Sequence, residues 1–218
     1  MTAQAGPTIV GRMRAIMKIN TDLRCILTTP FVYDFYQEIV GGNKLRCNFV
    51  ADYVRAKPGD KVVDIGCGPA QLLRWLPELE YIGFDTNKAY IAMAQKKYGH
   101  RGLFLVGDTK MLENDQRLLN TGIVICCGIL HHLDDDEVFH VVKFAYKILK
   151  AGGRLVRLDP CWAPHQGFFE KWMLAHDRGQ HIRTEQGYRR LIERVFPNFK
   201  TTSDLKPITR CVNIECVK

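Results

Sequence analysis

Four aspartates and two histidines in this 218-residue chain stand at or near the ends of short apolar runs. Asp64 lies two residues before the first glycine of Asp64-Ile65-Gly66-Cys67-Gly68-Pro69-Ala70, and Asp85 follows 21 residues after Asp64. A carboxylate at the end of a second strand, at that interval, can accept both hydroxyls of a nucleoside ribose. The alternative is helix capping, for which Asp85, Thr86 and Asn87 are all suitable. His131 and His132 follow the fourth apolar run. Imidazole titrates near neutrality, so either ring can take a proton from a nucleophile. The alternative, weightier for His132, is that one ring only packs or hydrogen-bonds at the strand end. Asp159, after the fifth run, can orient a substrate hydroxyl or amine, or cap a turn before Pro160.

The elements that would position these groups are legible in order. Lys61–Ile65 is a β-branched run without polar alternation, the pattern of a strand covered on both faces. Gly66 and Gly68 allow a sharp turn and close approach of backbone to a ligand. Helical spacing over Ala70–Leu76 predicts a helix whose N-terminus offers free N–H groups. Leu79–Phe84 reads as a second strand, Lys88–Tyr98 as a helix, Gly102–Val106 as a third strand and Thr121–Cys127 as a fourth. A helix runs from Asp134 to near Leu149, with an acidic first turn suited to its dipole. Arg154–Leu158 is the fifth strand, and the chain closes with a helix over 165–178, a polar loop, a Thr184-capped helix through Phe196, and strands over Pro197–Asp204 and Arg210–Val217. Before the first strand, apolar periodicity predicts helices over 9–19, Phe31–Val40 and Leu45–Val54. These form a cap over 1–58, packed on a core of 59–218, with Tyr33 and Tyr36 placed to line the mouth.

The pattern Asp-x-Gly-x-Gly-x-Ala resembles motif I of the class I S-adenosylmethionine-dependent methyltransferases, and Gly128-Ile129-Leu130-His131-His132-Leu133 with Leu149-Lys150-Ala151-Gly152-Gly153-Arg154 resembles motifs IV and V of their small-molecule, type 11/12-like members. The resemblance covers roughly residues 45–160, departing at Ala70, where the family often has glycine. It implies a Rossmann-like α/β fold: a seven-stranded, mostly parallel sheet of order 3-2-1-4-5-7-6, closed by an antiparallel hairpin strand, with helices on both faces. It further implies S-adenosylmethionine as cofactor, with S-adenosylhomocysteine as product. On that reading Asp64, Gly66, Cys67, Gly68, Asp85, Thr86, Asp108, Thr109, Cys127 and Gly128 form the cofactor site. Asp108, after the third strand, takes the adenine-reading position. Catalysis falls to His131, His132 and Asp159, a base being required only where the nucleophile must lose a proton.

Composition bounds the partners. A content of 46% hydrophobic and 25% charged residues is that of a soluble globular protein. No run approaches the ~18 apolar residues of a membrane helix, and the N-terminus lacks signal-peptide order; a cytoplasmic enzyme is expected. The eight cysteines form no C-x-x-C pair and no zinc-spaced cluster, so reduced thiols and no metal are expected. Residues 1–142 carry 16 basic and 16 acidic side chains, whereas 143–210 carry 14 against 6, which accounts for the net charge of +8. Within that basic third Arg178, His181 and Arg183 flank a glycine and could present cationic donors to an acceptor. The expected reaction is methylation of oxygen or nitrogen on a small polar metabolite bearing an anionic group, by a monomer or homodimer.

Three other readings compete. Nucleic-acid methylation fits the basic third. It is disfavoured because the segment after the fourth strand reads Cys-Cys-Gly-Ile rather than Asn/Asp-Pro-Pro-aromatic, and because Cys126 and Cys127 lack a preceding proline. A cofactor-binding member without methyl transfer shares the fold. A nicotinamide oxidoreductase would place its third small residue at Gln71, not Ala70.

Overall fold

The computed structural model describes residues 42–164, 166–175, 179–197, 199–204 and 211–218. The helices expected over 9–19 and Phe31–Val40, with Tyr33 and Tyr36, lie outside the described residues, as does Arg178.

The expected sheet is present. Strands β1 (Lys61–Ile65), β2 (Glu80–Asp85), β3 (Gly102–Val106), β4 (Thr121–Cys127), β5 (Leu149–Trp162), β6 (Arg183–Thr184), β7 (Phe199–Asp204) and β8 (Cys211–Val217) give the path β3-β2-β1-β4-β5-β8-β7. The first five pair in parallel, and β8 runs antiparallel to both β5 and β7. Unanticipated is β6, whose two residues pair in parallel with Cys161 and Trp162. β5 is also longer than the apolar run Arg154–Leu158 suggests, so Asp159 lies inside the strand, opposite Val212 of β8, and caps no turn.

Helices α1 (Gly42–Phe49), α2 (Lys88–Tyr98), α3 (Asp135–Ile148), α4 (Phe168–Ala175) and α5 (Glu185–Glu193) complete the layers. Asn87 caps α2 by accepting from the N–H groups of Ala89 and Tyr90. Asp134 and Glu137 form a reciprocal capping box at the start of α3. Thr184 Oγ1 accepts the Gly187 N–H at the start of α5. Val138, Val141, Val142, Ala145 and Ile148 recur at helical spacing along α3. They bury against Val63, Ile65, Ile82, Phe84 and Val124 of the sheet and Tyr188, Leu191 and Ile192 of α5. α1 widens into a π turn over Val50–Val54 that ends at left-handed Arg55. The Arg154 guanidinium donates to the terminal carbonyls of Tyr53 and Val54, tying this helix end to β5.

Candidate active site

β1 delivers the chain into three left-handed residues within five: Gly66 at φ 68°, Gly68 at φ 54° and Ala70 at φ 56°. The N–H groups of Gly66 and Cys67 both donate to the Phe84 carbonyl, at 2.9 and 3.0 Å, fastening the turn to the end of β2. A Cβ on Gly66 would meet Ile129 Cδ1 at 2.6 Å, so the turn and the segment after β4 approach without room for a side chain. At Gly68 a Cβ would meet nothing within 4 Å, which leaves an open cradle beside the backbone.

The helix expected over Ala70–Leu76 is instead a short 3-10 segment, Gln71–Arg74. Pro77 lacks the N–H that would bond the Leu73 carbonyl and disfavours helical geometry at Leu76. Arg101 takes the carbonyls of Leu73, Leu76 and Pro77 at 2.6, 2.9 and 2.9 Å. So short a segment offers no dipole-based anion site. The turn's backbone and its carboxylate neighbour remain.

That neighbour is Asp85. Its Oδ2 accepts the Gly68 N–H at 3.0 Å and its Oδ1 the Asn87 N–H at 2.8 Å. Helix capping falls to Asn87, so Asp85 stays at the turn, each oxygen with a further lone pair to offer. Thr86 beside it is exposed. Asp108 follows β3 and accepts the Lys110 and Met111 N–H groups through Oδ1, at 2.9 and 2.8 Å, while Thr109 is buried. Asp64 is buried below the turn and accepts the Tyr81 hydroxyl at 2.6 Å. Burial pushes its carboxyl up to about 7, the Tyr81 hydrogen bond opposing and the Asp85 charge adding to the rise. The Cys67 thiol is likewise raised by burial and by both carboxylates. Cys127, at the end of β4, is pushed up to about 12 by desolvation, against the pull of the Arg46 guanidinium. The described cysteines are free thiols.

Beyond Gly128 (φ 72°) the chain forms a 3-10 turn, Leu130–His132. Here two of the three expected catalytic residues meet: His131 Nδ1 lies 2.9 Å from Asp159 Oδ1, which also accepts the His131 backbone N–H at 3.2 Å. Asp159 Oδ2 accepts from Arg157 Nη1 at 3.1 Å, and Arg157 and Asp159 are both fully enclosed. With Nδ1 turned to a carboxylate, the neutral ring carries its lone pair on Nε2. A Cβ on Gly128 would stand 3.9 Å from His131 Cε1, and one on Gly179 would collide with Cδ2. His132 is exposed, its ring centroid 4.0 Å from that of His131.

Arg183 is placed differently from the donor role expected of it. Its five N–H donors are all taken: Nε and Nη2 by Asp135 Oδ1, Nη1 by the carbonyls of Leu130 and His181, and Nη2 also by the Leu133 carbonyl. The side chain is a clamp on the turn bearing His131, and its planar fork is already filled. His181 presents an exposed side chain, while its N–H donates to the His131 carbonyl at 3.0 Å. Sequence reasoning missed Arg101, Arg157 and the clamp. Only Arg157 left a trace, as a charge inside the apolar run Leu155-Val156-Arg157-Leu158.

Among the described residues no three His, Cys, Asp or Glu side chains group as a metal site, and no helix is long and apolar enough to cross a membrane. A family model for the methyltransferase domain matches residues 62–153. The chain is 31% identical over 124 residues to the small RNA 2'-O-methyltransferase of Mus musculus, covering 47% of this chain and 30% of that protein. It is 27% identical over 117 residues to the ubiquinone biosynthesis O-methyltransferase of Aliivibrio fischeri, covering 52% of this chain and 49% of that protein. The chain thus spans half or less of the length of these curated relatives. Among solved structures it is similar to a SAM dependent methyltransferase from Archaeoglobus fulgidus, with a TM-score of 0.67, 17% identity, and coverage of 86% of this chain and 100% of that one. Residues 62–153 thus match the methyltransferase domain model, and the strand order β3-β2-β1-β4-β5-β8-β7 belongs to a fold shared with that solved SAM dependent methyltransferase.

Proposed function

We propose that this protein is an S-adenosylmethionine-dependent O-methyltransferase in which His131 removes the proton of an acceptor hydroxyl. The observation that carries this reading is the buried His131–Asp159 pair, 2.9 Å apart, on the turn that follows β4 and beside the glycine turn of β1.

The residues of the β1 turn fit the cofactor. The space beside Gly68 admits a ligand against the backbone, and Asp85, held at the edge of that space, has the lone pairs to accept two ribose hydroxyls. Asp108 and Thr109 stand at the end of β3, where the adenine edge would be read. Cys67, Thr86, Cys127 and Gly128 border the same strand ends, with Asp64 beneath. S-adenosylmethionine held there would supply an electrophilic methyl carbon to the acceptor oxygen, with S-adenosylhomocysteine as the leaving group. The chain's own part is alignment and proton removal. Asp159 holds the imidazole by Nδ1, Nε2 takes the hydroxyl proton, and the carboxylate stabilises the imidazolium that results. His132, exposed beside that ring, borders the approach.

The acceptor proposed is a hydroxyl on a small polar metabolite. Two similar proteins are named as methylating oxygen, which favours a hydroxyl over an amine. With Arg183 saturated, recognition of an anionic group on that acceptor falls to other side chains. A second reading, methylation of an RNA ribose hydroxyl, is favoured by the similarity to the small RNA 2'-O-methyltransferase and by the basic segment 143–210. Incubation with methyl-labelled cofactor and either a hydroxylated-metabolite extract or a small-RNA preparation separates the two. Label in small-molecule methyl ethers supports the first reading. Label confined to RNA replaces it with the second.

A further inference from the structure

Arg157 and Asp159 are two residues apart on β5, so their side chains share one face of the sheet. Arg157 lies in the sheet interior, opposite Cys126 of β4 and Ile214 of β8, with no solvent exposure. Its guanidinium sits 3.9 Å from the centroid of the Tyr188 ring, and Tyr188 in turn donates its hydroxyl to the Pro160 carbonyl at 3.2 Å. The cation is therefore held on an aromatic platform against Asp159. A buried ion pair is weak grounds for a stability role, because desolvation offsets its attraction. Its chemical consequence is clearer. Asp159 receives three donors, two on Oδ1 from His131 and one on Oδ2 from Arg157. That arrangement satisfies a carboxylate and would set a carboxylic O–H against donors.

We propose that Arg157 is a positioning residue for His131. It keeps Asp159 an anion, so that Oδ1 fixes the Nδ1–H tautomer and leaves the lone pair on Nε2. The inference rests on the proposed role of His131. The charged and titratable groups around the pair include Arg157 itself, the adjoining His132 ring, Arg183 across the turn, Tyr188 from α5, Cys126 and Cys127 from β4, whose thiols sense Asp159, and Cys216 from β8, whose thiol senses Arg157. Arg157 is bonded as a cation to Asp159 Oδ2, and removing it leaves that oxygen without this donor and loosens the hold of Oδ1 on the His131 ring.

Nitrogen-15 NMR of the histidine rings, recorded against pH on the protein alone, tests this without any acceptor or turnover. Wild type should show the neutral His131 ring as the Nδ1–H tautomer. Arg157→Met should lower the fraction of that tautomer, while Arg157→Lys, which keeps the charge, should leave it near wild type. Thermal unfolding identifies variants that remain folded. A folded Arg157→Met variant with an unchanged tautomer ratio overturns the inference, as does an Nε2–H tautomer in wild type. If Arg157→Met does not fold, Arg157→Gln is read in its place. Failure to find methyl transfer would overturn the proposed function and leave this tautomer measurement standing.

Discussion

The Oδ2 atom of Asp85 accepts the backbone N–H of Gly68 at 3.0 Å, joining the end of β2 to the open side of the turn that follows β1. One carboxylate thus shapes the turn and stands at its edge.

Asp85→Ala should weaken S-adenosylmethionine binding by about ten- to a hundredfold, since hydrogen bonds to a charged group contribute roughly 1.5–3 kcal/mol. Isothermal calorimetry on the folded variant measures this. Unchanged affinity would remove Asp85 from the ribose site.

Asp64 makes stability pH-dependent. Its carboxyl is raised from 3.8 to about 7 in the folded protein, chiefly by burial. Between those values the folded chain keeps a proton that the unfolded chain has lost. The contribution is complete below pH ~4 and is lost as pH rises through ~7, a change on the order of 4 kcal/mol. Asp64→Asn should therefore match wild type near pH 4–5 and exceed it in denaturant stability near pH 8. Parallel pH profiles for the two proteins would contradict this assignment.

Arg183→Ala removes five donors from Asp135 and from the carbonyls of Leu130, Leu133 and His181. The guanidinium is largely sheltered but Asp135 is 72% exposed, so the carbonyl bonds dominate. A loss of about 2–3 kcal/mol in urea unfolding is expected. Methyl transfer should fall mainly in kcat, because the clamp holds the His131 turn. A rise confined to the acceptor KM would restore Arg183 as a substrate ligand.

Some of this was legible in the sequence and some was not, for physical reasons. β3 and α2 have the bounds their residues predict, because an apolar run between glycines and an amphipathic run after Asn87 are both local signals. The helix after the glycine turn failed because two non-local facts override its spacing: Pro77 withholds an N–H, and Arg101, distant in sequence, takes the carbonyls. β5 exceeds its apolar core because pairing with β8 carries it through Asp159 and Pro160. His131 and Asp159 were readable as separate candidates. Their pairing across 28 residues depends on how β4 and β5 align, which no local pattern records. Arg183 has the side chain of an anion ligand, and only the carbonyls of the neighbouring turn make it a clamp.

The most direct measurement is transfer of labelled methyl from S-adenosylmethionine to a hydroxylated small molecule by wild type and by His131→Ala, with cofactor affinity measured on both. Wild type should transfer methyl to oxygen, the variant should lose about 10²–10⁴-fold, and cofactor binding should stay within a factor of about two, since the proposed role of His131 includes no cofactor contact. A folded His131→Ala variant that methylates oxygen at the wild-type rate would contradict that role.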